Sequence, residues 1–341
     1  MRFLGFILFI FIVSCVDTTE TKPFTAVEIT MVFEDSISIR AIELMPGSLA
    51  FAANNGVFGS VDLETNVVRT GVQRYDTILP EFRAIAQTST DFFMLSVANP
   101  ALLYKTGDEG AMELVYTEKD SLVFYDAMKF WNEEEGLAIG DSMNGCLSVI
   151  ITRDRGNTWT KLNCNSLPER VIGEGAFAAS NTNISIVGDH CWVATSKSRI
   201  YYSPDKGKTW EVYQTPMLKE LDTQGIYSID FFNGDVGIAV GGDYTAPEEK
   251  KGNKAITRDG GRSWHLLSEG QEPDYKSCVQ FIPETNGKGI VAIGFTGIAY
   301  SSDMGLNWKE LSPESFYTIR FLNDSVAYAA GRNRIAKLVF K

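Results

Sequence analysis

Along most of this chain apolar and polar residues alternate in short runs separated by Gly, Asn, Asp and Ser, which is the pattern of half-buried strands rather than helices. One run recurs seven times: any residue, a small residue, an aliphatic or aromatic residue, any residue, then usually a large apolar one. Its copies lie at 40–44, 83–87, 126–130, 175–179, 227–231, 277–281 and 317–321. A second apolar run ending in glycine follows most of them, as at 137–140, 238–241, 291–294 and 328–331. Each unit then reads as a first strand, a second strand, a Gly-rich turn, a third strand, a tight turn and a fourth strand. Four short strands repeated about every 45 residues predict an all-β protein, a seven-bladed β-propeller with the small residue where the innermost strands converge. The seventh unit ends after its third strand, at 334–339. The apolar run 24–33 can supply the missing fourth strand and close the ring without an unpaired edge.

The tight turn has its own signature, of the form Ser/Thr-x-Asp-x-Gly-x-Thr-Trp. Full copies carry Asp154 with Trp159, Asp205 with Trp210, Asp259 with Trp264, and Asp303 with Trp308; degenerate ones stand at Asp62 and Asp108. The aspartate can accept backbone N–H groups within a turn, and the glycine supplies a positive φ. The tryptophan then packs its broad face under the hairpin. A fastener repeated in every unit is structural; it cannot be one active site. Cys146 and Cys164 flank the third unit's turn at equal distances from residue 155, so they are expected to face each other across the hairpin as a disulfide.

The first residues follow a different pattern. Arg2 precedes an apolar run over 3–13, too short to span a bilayer and of signal-peptide length. It ends in Ile12-Val13-Ser14-Cys15, which resembles the lipobox of bacterial lipoproteins. That resemblance implies cleavage before Cys15 and lipidation of its thiol. The organisation expected is a signal peptide at 1–14, a lipidated polar tether at 15–23 and the propeller at 24–341, held on the cell envelope outside the cytoplasm. Val16 after the cysteine favours the outer membrane.

Composition narrows the function. With 341 residues, 44% of them hydrophobic, the chain can bury a large core. Lys+Arg 31 against Asp+Glu 43 gives a net charge of −12 without a basic run, so binding to nucleic acid is not expected. Two histidines, His190 and His265, leave little for a His-based metal site or a Ser-His-Asp machine. No Gly-x-Gly-x-x-Gly joins a strand to a helix and no Cys-x-x-Cys occurs, so no cofactor and no metal are expected.

The repeated turn resembles the Asp-box (BNR) repeat. Together with second-strand endings such as Glu135-Gly136-Leu137-Ala138-Ile139-Gly140, it makes the whole mature chain similar to the seven-bladed propellers of the photosystem II stability/assembly factor family, and most of all to its bacterial lipoprotein members. The photosynthetic members hold partner proteins, so the resemblance implies a non-catalytic binding or assembly scaffold and leans away from an enzyme. Asp-box relatives also include sialidases and oxidoreductases. A sialidase-like glycoside hydrolase would need three arginines on the substrate carboxylate, a Tyr/Glu nucleophile and an acidic proton donor; the Arg-Ile-Pro motif is absent, the nearest reading being Arg83-Ala84-Ile85. An oxidoreductase is the third reading.

The binding site is expected where the first strands begin, at the channel mouth. The residues converging there are Arg40, Arg83, Asp126, Gly175, Tyr227, Ser277 and Tyr317, with Lys276 adjacent, and second-strand turns add Asn54, Asn99, Asp141, Asp243 and Arg332 with the insertion from Tyr244 to Lys254. Two neighbouring arginines on so acidic a chain, with tyrosines opposite, suit a carboxylate or phosphate group. The expected partner is a protein or an anionic small molecule or glycan, and the chain is expected to be monomeric. The competing reading pairs Arg40 and Arg83 with Asp126 and Glu43 as a purely structural polar channel.

Overall fold

The computed structural model describes residues 23–107 and 110–341. The expected signal peptide, Cys15, the expected tether up to residue 22 and Asp108 lie outside the described residues. Strands come in sets of four that zigzag antiparallel. The first sets are β1 (Val27–Met45), β2 (Ser48–Ala53), β3 (Val57–Asp62) and β4 (Val68–Val72); β5 (Phe82–Gln87), β6 (Phe92–Ser96), β7 (Ala101–Thr106) and β8 (Met112–Glu118); and β9 (Tyr125–Phe130), β10 (Gly136–Met143), β11 (Cys146–Thr152) and β12 (Thr160–Lys161). There follow β13 (Ile184–Val187), β14 (His190–Ala194), β15 (Arg199–Ser203) and β16 (Glu211–Gln214), then β17 (Gln224–Phe231), β18 (Gly237–Asp243), β19 (Lys254–Thr257) and β20 (His265–Leu266). The last are β21 (Cys278–Phe281), β22 (Ile290–Gly294), β23 (Gly297–Ser301) and β24 (Lys309–Ser312), and finally β25 (Thr318–Phe321) and β26 (Val326–Phe340). The first strand of each set lies innermost. β1 packs beside β5, and so on through β9, β13, β17, β21 and β25, which packs beside β1 again. The fold is an all-β propeller.

A seven-bladed propeller was the expectation, and the hydrogen bonding corrects it to six sheets. Five are four-stranded, and the sixth runs β25-β26-β1-β2-β3-β4. The reason lies in β1, which is 19 residues long and has two partners. Its first half pairs antiparallel with β26, from Val27 opposite Phe340 to Ser38 opposite Arg332. Its second half pairs with β2, from Ile39 opposite Ala53 to Met45 opposite Ser48. One continuous strand thus joins what the sequence pattern separates into a first and a last unit.

A second correction concerns the fourth set. Residues 175–179 form no strand; the innermost strand there is β13, several residues later. The run Gly175-Ala176-Phe177-Ala178-Ala179 lacks β-branched residues, whereas Ile184-Ser185-Ile186-Val187 is rich in them and takes the place in the sheet. The displaced segment instead crosses the axis. Ser180 Oγ donates to the Ser277 carbonyl (2.6 Å), and Thr318 Oγ1 donates to the Ser180 carbonyl (3.0 Å). Asn181 accepts from Met128 N–H (3.0 Å) and donates to the Ile85 carbonyl (2.8 Å), while Thr182 Oγ1 donates to Ser228 Oγ (2.7 Å). Inner strands are also stitched directly: Asp230 accepts from Phe281 N–H (2.8 Å) and Gln280 from Phe321 N–H (2.9 Å). The channel is therefore plugged, with one recess at either end.

The tight turns share one construction. Asp154 accepts from Thr158 N–H (2.9 Å) and Thr158 Oγ1 (2.7 Å), Thr152 Oγ1 takes Gly156 N–H (2.9 Å), and Trp159 Nε1 donates to the Gly156 carbonyl (3.2 Å). The glycine is needed because its φ is +74°, and a Cβ there would collide with the Phe93 ring. Asp205, Asp259 and Asp303 repeat these contacts, with Trp210, Trp264 and Trp308 bonded to their own turn glycines. These turns lie on the same face as the turns following the first strands. Arg155 N–H donates to the Glu134 carbonyl (3.0 Å), Gly260 to Asp235 (2.9 Å) and Met304 to Lys288 (3.0 Å). We call this the turn face, and the opposite one the mouth face.

Cys146 and Cys164 are joined by a disulfide with Cα atoms 5.3 Å apart. They are not a ladder pair. β12 is only two residues long, and Cys164 opens a 3-10 turn after it. The ladder sets Ile150 opposite Lys161, one residue out of phase with the expected symmetry about residue 155. Cys191 and Cys278 are buried and free.

Candidate binding site at the channel mouth

On the mouth face a cavity of about 370 Å³ opens over the plug. Arg40 comes from β1, Arg83 from β5, Tyr227 from β17, and Tyr317 from the residue ahead of β25. The successive inner strands bring these four together. Tyr244, Tyr275, Ser277 and Phe295 complete the wall, and Phe177, Ala178 and Ala179 of the plug make the floor. Phe177 stacks on Tyr227 with ring centroids 3.8 Å apart, Tyr227 meets Tyr275 edge-on at 4.9 Å, and Tyr275 leans on Phe295 at 4.9 Å. Burial pushes the phenols of Tyr227 and Tyr275 well up, so both are neutral donors. The Tyr227 hydroxyl is already committed to the Thr223 carbonyl (2.8 Å).

The two arginines are held differently. Arg40 lies over the Tyr317 ring, its guanidinium carbon 4.3 Å from the centroid, and its Nε is buried without a hydrogen-bond partner. Burial, then the charge of Arg83, pull it below the ordinary arginine value. Arg83 Nε donates to Glu81 at 2.7 Å on the rim. The structural pairing is not formed: Glu43 is bound by Arg320 (2.7 Å) at the other end of the channel, and Arg83 is bound to Glu81 rather than Asp126.

The remaining candidates do not face this cavity. Asp126 is fully buried, and neither carboxylate oxygen has a hydrogen-bond partner. Burial, then Asp141, hold its carboxyl well above the usual range, with Arg83 pulling the other way. Asp141 accepts from Ala176 N–H (3.1 Å) and lines a neighbouring recess with Arg170 and Asp222. Lys276 is turned to Asp274 and Thr296 Oγ1, Asp243 holds Thr245 N–H (2.9 Å), and Arg332 is exposed within β26. The residues missed from sequence are Phe177, Tyr275 and Phe295, whereas Tyr244 opens the insertion expected at the mouth. Tyr275 immediately precedes Lys276, while Phe295, like Tyr244, follows the end of a second strand, so aromatics at those ends were the available signal.

The cavity can therefore grip an anion between two guanidinium groups and cover its apolar neighbour with aromatic faces. No carboxylate is among its lining residues, and it holds two arginines, not three. Among the described residues, the carboxylates that the sialidase scheme needs as proton donor and as partner to a tyrosine do not line this cavity.

Comparison with known proteins bears on the fold. The chain superposes on the structure of YCF48 bound to D1 peptide with a TM-score of 0.66 at 12% identity, covering 93% of this chain and 98% of that one. It superposes on the RRP9 WD40 repeats with a TM-score of 0.66 at 11% identity (94% and 99% covered). YCF48 from Cyanidioschyzon merolae gives 0.62 at 12% identity (93% and 98% covered). These likenesses decide the fold. It is a propeller like that of YCF48. The family model described as Sortilin-Vps10 (Sortilin, neurotensin receptor 3) matches residues 147–281, a minority of the chain. No curated protein matches it.

Proposed function

We propose that this propeller is a non-catalytic binding scaffold that takes a carboxylate- or phosphate-bearing part of a partner protein, small acid or glycan at the mouth of its plugged channel. The observation that carries the reading is the Arg40–Arg83 pair beside a cavity walled by aromatic rings, Arg40 with its Nε unpartnered and Arg83 held by Glu81 from the rim, on a chain of net charge −12. The like-folded YCF48 with its bound D1 peptide supports a polypeptide partner. We further propose that the chain is a bacterial envelope lipoprotein, cut before Cys15 and anchored by lipid on that thiol, with the run at 24–33 serving as the strand that closes the ring. The antiparallel register of β1 on β26 supports the closure, as does the Phe340 N–H bond to the Ser325 carbonyl (2.8 Å), which folds β26 back on itself.

The test compares wild type with the Arg40→Ala/Arg83→Ala double variant in cross-linking capture from the native envelope. Partners captured by wild type should be lost from a double variant that melts normally; retention of every partner would place the site elsewhere. Single changes to lysine should weaken capture less than changes to alanine.

A further inference from the structure

Neighbouring sets of strands meet around aromatic clusters that the first two sets lack. Between β6 and β9, Phe93 stacks on Phe130 with ring centroids 4.6 Å apart, and Trp159 stands edge-on to Phe130 at 5.8 Å. Between β14 and β17, Trp192 stacks on Phe231 at 3.8 Å, with Trp264 edge-on at 6.0 Å. Ile238, Phe281 and Trp308 share one core cluster between the next two sets. The register identifies the matching positions between the first set and the second. Phe93 and Ile238 lie opposite the fourth residue of their repeats, Ala86 and Asp230; opposite Glu43, the fourth residue of the first repeat, stands Ala50. Phe130 and Phe231 are the fifth residues of theirs, and the second repeat has Gln87 there. A turn tryptophan stands one step beyond the last ladder pair of its hairpin, as Trp159 does beyond Thr160 and Ile151. In the second set that place, opposite Thr106, belongs to Met112. Alanine, glutamine and methionine thus stand where the other interfaces set three rings.

The space they leave is a cavity of about 430 Å³ between the first two sets. It lies toward the turn face, since Met45, Thr90 and Thr106 in its wall stand at the turns of that face. Met45, Met112, Phe58 and Phe92 line it, and Gly59 and Gly71 leave the strands behind it without side chains. Thioethers and ring faces favour an aromatic guest. The same wall carries the exposed guanidinium group of Arg69 and the hydroxyls of Thr70 and Thr90, which suit a carboxylate. We propose that this cleft binds a small aromatic carboxylic acid, its ring seated where the other interfaces hold their own and its carboxylate on Arg69. The volume falls within the range of small-molecule sites, about 300–1,000 Å³. No residue of this wall belongs to the arginine mouth, so the two sites are distinct.

The experiment titrates the full chain with indole-3-acetate and follows the methionine methyl signals by NMR. Met45 and Met112 should shift saturably, with a Kd below about 1 mM. Indole without the acid chain should bind at the same place several-fold more weakly, and Arg69→Ala should remove that difference. Met112→Trp supplies the ring from within; this variant should melt no lower than wild type and bind indole-3-acetate at least tenfold more weakly. Ala50→Leu, which installs the residue found at the matching Leu137 opposite Lys129, should block the cleft on its own and serves if the tryptophan variant fails to fold. The Arg40→Ala/Arg83→Ala variant should bind as wild type does, which separates this site from the mouth. Absence of saturable shifts at Met45 and Met112 would overturn the proposal. So would binding that survives the cleft-filling variants, or that disappears with Arg40 and Arg83.

Discussion

Asp126 is the least comfortable residue in the molecule. Its carboxyl is buried without a hydrogen bond, and burial with Asp141 nearby raises its proton affinity in the fold. The unfolded chain releases that proton near pH 4. The native form keeps it to higher pH, so this group's contribution is full below about pH 4 and declines as pH rises toward the native pKa. Asp126→Asn should therefore match wild type in melting temperature near pH 4 and exceed it increasingly above, in a thermal series across pH. Trp264 is buried against Phe231, with ring centroids 6.0 Å apart. Trp264→Ala should cost roughly 3 kcal/mol or more in urea unfolding while leaving ligand affinity per folded molecule unchanged. The arginines and tyrosines of the mouth were legible because position one of a repeat maps to one end of a strand. Asp126 shares that position but not the outcome. Sequence spacing locates a Cα; whether the side chain looks into the cavity or behind it depends on neighbours such as Ala178 that spacing does not record.

At the scale of elements, the plug and the disulfide hairpin depart most from what the pattern predicts. A motif of one small and one aliphatic residue carries little information, and β-branched residues further along outcompeted it for the sheet. Asn181 then became the hub of the axis. Asn181→Ala should cost roughly 2–4 kcal/mol, since it leaves the Met128 N–H and the Ile85 carbonyl buried without partners. The disulfide closes a loop of 18 residues. Replacing both cysteines with serine should lower stability by about 3 kcal/mol, measured without reductant, and reductant should have little effect on that variant.

For the whole molecule, the repeat was readable because every unit must solve the same packing problem with the same turn. The number of sheets was not, because hydrogen bonding through β1 merges two units whose sequences remain distinct. The proposed anchor, Cys15, lies outside the described residues, so its check is chemical: Cys15→Ser should abolish palmitate incorporation and move the protein from the membrane to the soluble fraction.

The plug has one more consequence, for how the molecule comes apart. In an array whose repeats touch only their neighbours, units can unzip one after another. Here Ser180, Asn181 and Thr182 bond at once to Ser277, Thr318, Ile85, Met128 and Ser228, residues spread around the whole circle. Opening one unit strands polar groups belonging to the others. The ring should accordingly melt in a single step, with equal calorimetric and van't Hoff enthalpies, and the inner-strand amides of all the units should exchange with solvent together.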